Sequence, residues 1–246
     1  MIEDILTYNQ GDIYFVREGN GPPVILIHGF SLDHRMWAPQ IEYLKRTHSV
    51  ISYDLRGFGK STTPCVPYSH YDDLNALMNY LQVPVAHIVG LSLGGEIGMD
   101  FAFTYPEKVA SLTLLSTSLS GYKSTVDWTV RSKEEWLDHD VFKPTKKHAE
   151  VFNDLQLIIQ DYSGWHWTHK DPVIPINPDA FSRLESLHCP VTIITGENDM
   201  QYFQTIAEVI QSHVKHSFKH IIKGAGHMIN LEKPGEVNAL LSWENI

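Results

Sequence analysis

The stretch Ala86-His87-Ile88-Val89-Gly90-Leu91-Ser92-Leu93-Gly94 carries an apolar run into a serine with a glycine two residues away on each side. Ala86-His87-Ile88-Val89 reads as a strand buried on both faces. Residues 94–105, small and apolar, read as a buried helix. A serine on a sharp turn between such a strand and such a helix is held in a strained backbone conformation. A side chain two residues before or after it would collide with the turn. Glycine removes the collision, and Oγ projects from the sheet edge. The bare G-x-S-x-G pattern recurs by chance in ordinary glycine-rich turns. The strand before it and the helix after it are the context that a nucleophilic serine requires.

Working outward, similar apolar runs recur. Pro23-Val24-Ile25-Leu26-Ile27, Ser49-Val50-Ile51-Ser52-Tyr53 and Val109-Ala110-Ser111-Leu112-Thr113-Leu114-Leu115 lie in the first half. Val191-Thr192-Ile193-Ile194 and Phe218-Lys219-His220-Ile221-Ile222 lie near the end. Helical spacing falls between them. Trp37, Ile41 and Leu44 space a helix over 37–45, and Leu74, Leu77, Met78 and Leu81 share one face over 71–81. Strands alternating with helices predict an α/β protein on a mostly parallel sheet. Residues 5–7 and 12–17 predict an antiparallel edge hairpin around Asn9-Gln10-Gly11. The rhythm breaks over 120–188, where Trp, His, Asp and Lys abound and only helical patterns occur, at 133–137 and 146–159. The expected organisation is a core of 1–119 and 189–246 with a helical insertion of 120–188.

A chain of 246 residues, 43% hydrophobic and 20% charged, suits one large domain carrying such an insertion. With 29 acidic and 19 basic residues the formal charge is −10, which argues against nucleic acid or an anionic membrane surface as partner. Cys65 and Cys189 do not make a disulfide scaffold and read as two free thiols. Met1-Ile2-Glu3-Asp4 is acidic where a signal peptide is basic, and no apolar run reaches membrane-spanning length, so a cytoplasmic protein is expected.

A serine hydroxyl needs a general base. Among the 14 histidines, His227 stands out in Gly224-Ala225-Gly226-His227-Met228, a glycine-bearing loop after the last strand. Open parallel sheets bind ligands at that edge. The base in turn needs an acid to fix its tautomer. Gly196-Glu197-Asn198-Asp199 follows the strand at 191–194 and offers Asp199, with Glu197 as competitor. Some hydrolases place the acid after the strand that follows the nucleophile, but Ser116-Thr117-Ser118-Leu119-Ser120 holds no carboxylate. Acyl transfer also needs oxyanion donors. The backbone N–H groups of Phe30, in His28-Gly29-Phe30, and of Leu93 are the candidates.

As an ordered set these residues resemble the α/β-hydrolase fold superfamily. The markers are His28-Gly29-Phe30, Tyr53-Asp54-Leu55-Arg56-Gly57-Phe58-Gly59-Lys60-Ser61, Ser92 between its glycines, Gly196 with Asp199, and Gly226-His227. Asp33-His34-Arg35-Met36-Trp37-Ala38-Pro39-Gln40 is similar to the small bacterial carboxylesterases, enol-lactonases and cofactor-free haloperoxidases or perhydrolases. The resemblance implies an eight-stranded, mostly parallel sheet with helices on both faces, a small helical cap, and no cofactor. It implies a structural role for Asp54 and Arg56, tying loops near the site. Ser92 departs from the dehalogenases and epoxide hydrolases of this fold, which use a nucleophilic Asp. Phe30-Ser31-Leu32-Asp33 departs from the small-residue run usual in C–C bond hydrolases.

Four of the six tryptophans, Trp128, Trp136, Trp165 and Trp167, fall in the insertion. They can line a substrate site or simply pack it. Trp128, Trp165 and Trp167 are the candidate binding residues. His166 and His169 lack the cysteine or carboxylate partners of a metal site, and no metal is expected. The expected activity is hydrolysis of a small, fairly apolar ester or lactone. Perhydrolysis, acyl transfer or C–C cleavage on the same residues, and a non-catalytic small-molecule receptor, are the alternatives.

Overall fold

Alternation along the strands decides which face each side chain serves. In β3 (Pro23–Ile27), Val24 and Leu26 enter one apolar cluster while Ile25 and Ile27 enter another. In β4 (Ser49–Tyr53), Val50 goes with the first pair and Ile51 with the second. Both faces are therefore covered, which is why these strands read as continuous apolar runs. The structure, a computed structural model, describes residues 1–241 and Trp243.

The described residues form an eight-stranded sheet in the order β1-β2-β4-β3-β5-β6-β7-β8. Its other strands are β1 (Ile2–Tyr8), β2 (Gly11–Glu18), β5 (Ala86–Leu91), β6 (Val109–Leu115), β7 (Val191–Gly196) and β8 (Ser217–Ile222). β1 and β2 form the antiparallel hairpin, β2 is antiparallel to β4, and all pairs from β4 through β8 are parallel. Asn9 and Gln10 turn the hairpin at φ 46° and 56°, the sign that a two-residue connection requires. β1 begins earlier than the predicted residue 5, because its first residues are exposed and carry no buried alternation to read.

One face is covered by α2 (His70–Tyr80), α3 (Leu93–Thr104) and α7 (Gln201–His213), through side chains such as Leu77, Phe101 and Ile210. The other is covered by α1 (Ala38–Leu44) and α9 (Pro234–Leu240), through Leu44 and Val237. The predicted helix over 37–45 is split. Asp33 caps a 3₁₀ turn, His34–Trp37, by accepting from the Arg35 N–H, and Pro39 then opens α1. Proline lacks an N–H and fits only the first turn of a helix.

Between β6 and β7 run α4 (Lys133–Asp138), α5 (Ala149–Asp161) and α6 (Trp165–Thr168), with short 3₁₀ turns between them. Trp136, Leu155 and Ile159 join the apolar cluster that contains Met228 and Ile229, so this segment packs onto the sheet edge rather than around a cluster of its own. No helix among the described residues is long and apolar enough to cross a membrane.

Arg56 and Asp73 tie the loop after β4 to α2. Arg56 Nε donates to Asp73 Oδ2 at 2.7 Å, and Nη2 donates to Asp73 Oδ1 at 2.9 Å and to the Tyr8 carbonyl at 2.7 Å. Both side chains are almost fully buried. Removing one partner strands a charge in a low-dielectric setting. Asp73→Ala is expected to lower unfolding stability by about 3–5 kcal/mol, read as a fall in urea midpoint. An unchanged midpoint would show that the pair does not support the fold.

Candidate active site

β3, β5, β7 and β8 all release the chain at the same end of the sheet, and the candidate residues collect there. Ser92 leaves β5 at φ 54°, ψ −116°, a conformation an L-residue adopts only under strain. Its N–H donates to the Leu115 carbonyl at 2.9 Å, and its carbonyl accepts from Gly95 and Glu96 as α3 begins. A Cβ on Gly90 would stand 2.2 Å from the Gly94 carbonyl oxygen, and one on Gly94 would stand 2.1 Å from that of Ile27. Both glycines are therefore required by backbone contact, as the elbow reading expects.

His227 lies in the loop after β8, nine residues of which the sequence marked only by glycines. It is buried, and its Nδ1 is 3.2 Å from both carboxylate oxygens of Asp199, itself buried after β7. The carboxylate assigns the proton to Nδ1 and leaves Nε2 as the basic nitrogen. Asp199 is held in turn: its Oδ1 accepts from the Met200 N–H at 2.7 Å, and Gln204 donates to its carbonyl at 2.8 Å. Glu197 instead accepts from the Gly224 N–H at 2.9 Å and ties the two loops together. Of the two candidate acids, Asp199 is the one that meets His227.

The loop carrying His227 is braced from three sides. Glu232, in α8 (Ile229–Glu232), accepts from the Gly226 N–H at 2.5 Å and from Thr145 Oγ1 at 2.6 Å. Asn230 donates to the Met36 carbonyl at 3.0 Å, fixing α8 to the turn before α1. Phe203 places its ring 4.1 Å from the His227 ring. None of these supports was legible from motif spacing, because each is a tertiary contact.

Ser92 and His227 line one cavity of about 350 Å³, together with Phe30 and Leu93. Among the described residues no acceptor meets the backbone N–H of Phe30 or of Leu93. The Phe30 loop is set by His28, whose Nδ1 bonds the Gly29 carbonyl at 2.8 Å and whose Nε2 accepts from the Leu55 N–H at 2.9 Å. Burial pushes the His28 imidazole below its ordinary range, so it stays neutral and can accept. Trp136 Nε1 donates to Ser31 Oγ at 2.6 Å, fastening α4 to the same loop.

The cavity wall is mostly apolar. Trp128 and Trp167 belong to it, as expected. Trp165 does not: its indole stacks on His169 with centroids 5.4 Å apart, away from the lining. Gly164, at φ 75°, starts the four-residue α6 and turns that side chain aside. Trp136, Phe142 and Tyr202 line the cavity and were not singled out. Tyr202 stands three residues after Asp199, one helical turn on, and that proximity was the available signal.

One described group has metal-ligand chemistry, Asp33, His34 and Asp54. Its donors are already used. Asp33 holds the Arg35 guanidinium through both oxygens, and Asp54 accepts from His34 and from the Lys60 N–H. Burial would raise the Asp54 carboxyl, but these hydrogen bonds outweigh it and keep it below the usual carboxylate range. The group reads as a loop tie.

Residues 22–187 match the alpha/beta hydrolase fold family. The chain belongs to that family. This α/β hydrolase is 25% identical over 253 residues to 3-oxoadipate enol-lactonase 2 of Acinetobacter baylyi, covering 96% of this chain and 94% of that protein. It is 24% identical to the carboxylesterase YbfK of Bacillus subtilis, covering 93% of this chain and 82% of that one. A thermophilic esterase from Thermogutta terrifontis, solved with malate bound, superposes with a TM-score of 0.83 at 25% identity, over 98% of this chain and 96% of that one. The α/β-hydrolase resemblance and the mostly parallel eight-stranded sheet expected from the sequence both hold.

Proposed function

We propose that this α/β hydrolase cleaves small, fairly apolar carboxylic esters or lactones through an acyl-enzyme on Ser92. The observation that carries the reading is His227, held at Nδ1 by both Asp199 oxygens and lining the same cavity as a serine on a strained elbow. Esterase and enol-lactonase relatives point the same way.

In the proposed reaction His227 Nε2 takes the proton from Ser92 Oγ as Oγ adds to the substrate carbonyl. The oxyanion forms between the N–H groups of Phe30 and Leu93, each donor of this kind being worth about 3–4 kcal/mol in the transition state. Collapse of the tetrahedral species breaks the ester C–O bond, and the leaving oxygen takes the proton from His227. Water then repeats the addition and releases the acid. Asp199 orients His227 and stabilises the imidazolium without accepting its proton. Residues 120–188 act as a cap, and Trp128, Trp136 and Trp167 exclude water and favour an apolar acyl or alkyl group.

A fluorophosphonate probe tests the reading directly. It is expected to modify Ser92 alone, located by peptide mass spectrometry, and to abolish turnover of short p-nitrophenyl esters. Labelling elsewhere, or tight ligand retention with no turnover of any ester or lactone, would overturn it.

A further inference from the structure

A second cavity, of about 240 Å³, lies behind Phe30, Leu93 and His166, which it shares with the reaction cavity. Its chemistry differs from that of the first. Glu96 and Asp100 line it from α3, following Ser92 at four-residue intervals and so on one helix face. Asp171 lines it from the segment after α6. No Lys or Arg lines it among the described residues.

Two nitrogens at this cavity are buried without a hydrogen-bond partner, His70 Nδ1 and His166 Nε2. The His166 side chain is nine-tenths buried, and its Nε2 lies 3.4 Å from Asp171 Oδ2, outside hydrogen-bonding geometry. Its Nδ1 is 2.7 Å from the Tyr162 hydroxyl. The tautomer that donates from Nδ1 to Tyr162 leaves Nε2 as an acceptor. His70 is held neutral, burial pushing it down to about 4. Carboxylates and neutral imidazoles thus present acceptors, with the rings of Phe58 and Tyr71 beside them. An anion would face Asp171 with no basic side chain to offset it. A bare metal ion is disfavoured too, because these groups do not converge within ligand distance. A compact cation with N–H donors satisfies both the acceptors and the aromatic faces.

We propose that this cavity is a subsite for a small organic ammonium group, carried on the part of the substrate remote from its reacting carbonyl. That the group belongs to the substrate rests on the ester hydrolysis proposed above; binding of a free ammonium does not.

The energetics of α3 support a ligand rather than a packing role. Burial, then the neighbouring Glu96, push Asp100 up to about 8, and burial raises Glu96 as well. Ser120 and Arg183 partly offset this at Asp100, and Asp179 adds to it. A carboxyl raised above its unfolded value contributes stability below about pH 4 that is lost as pH rises through about 8. Amides of the same shape would avoid that loss, so the acids cost stability in the empty protein at neutral pH.

The test uses n-butylammonium, 1-butanol and butyrate on the full-length protein, followed by calorimetry at pH 8. Butylammonium is expected to bind about tenfold more tightly than either companion. Glu96→Gln with Asp100→Asn is expected to erase that preference while raising the melting temperature, a combination that a packing role would not produce. Asp171→Asn, which leaves α3 intact, is expected to reduce the preference by itself. Equal binding of the three probes, a preference for butyrate, or a preference that survives in both variants would overturn the subsite. A p-nitrophenyl ester with an ω-ammonium acyl chain, compared with its terminal-methyl isostere, separates this from the reaction. Ammonium preference in binding without cleavage of either ester supports the subsite and removes the esterase reading. Cleavage of both esters at equal kcat/KM, with no binding preference, does the reverse.

Discussion

Ser92→Ala is expected to lower kcat on a short p-nitrophenyl ester by about four to six orders of magnitude, with KM changed far less. The argument is that the reaction splits one hard step into two easier ones only if Oγ can form the covalent bond. Alanine keeps the Cβ and removes that atom. His227, Asp199 and the N–H groups of Phe30 and Leu93 stay in place, so a residual rate above that in water remains. Folding is expected to survive, because the strain at φ 54° is set by the backbone and is the same for serine and alanine. The matching measurement is therefore a pair, single-turnover rates and thermal melting. Retained turnover in a folded Ser92→Ala protein would place the nucleophile elsewhere.

How much of this was legible follows from what each signal depends on. β3, β4, β5 and β6 were legible because burial on both faces writes an uninterrupted apolar run into the sequence. The first residues of β1 were not, since Ile2, Glu3 and Asp4 are all exposed at a sheet edge. The elbow was legible because a strained turn must recruit glycine at fixed spacing. The choice of Asp199 over Glu197 was open, two carboxylates two residues apart, until the partners were seen: His227 for one and the Gly224 N–H for the other. Trp165 and Trp136 show where composition stops. Both are tryptophans in the same insertion, yet one stacks outward on His169 and the other lines the cavity, because a four-residue helix has no periodicity to give its direction. The second cavity was half visible. Ser92, Glu96 and Asp100 share a face by spacing, whereas His70, His166 and Asp171 reach it only through tertiary folding.

Asp199→Asn is expected to lower kcat by about 10⁴, and Glu197→Gln by far less. An asparagine fills the same volume and can keep the Met200 N–H bonded, so the loop is preserved. What changes is the proton on His227. The carboxylate can only accept and so demands Nδ1–H. The amide can present its NH₂ to Nδ1, which moves the ring proton to Nε2 and removes the base that Ser92 needs. The imidazolium formed during addition also loses its counter-charge in a buried setting, where that charge matters most. Glu197→Gln keeps an oxygen for the Gly224 N–H and leaves the tautomer alone. Proton NMR of the His227 ring, alongside kcat for both variants, checks cause as well as effect. A large loss in Glu197→Gln with Asp199→Asn near wild type would transfer the role of the acid to Glu197.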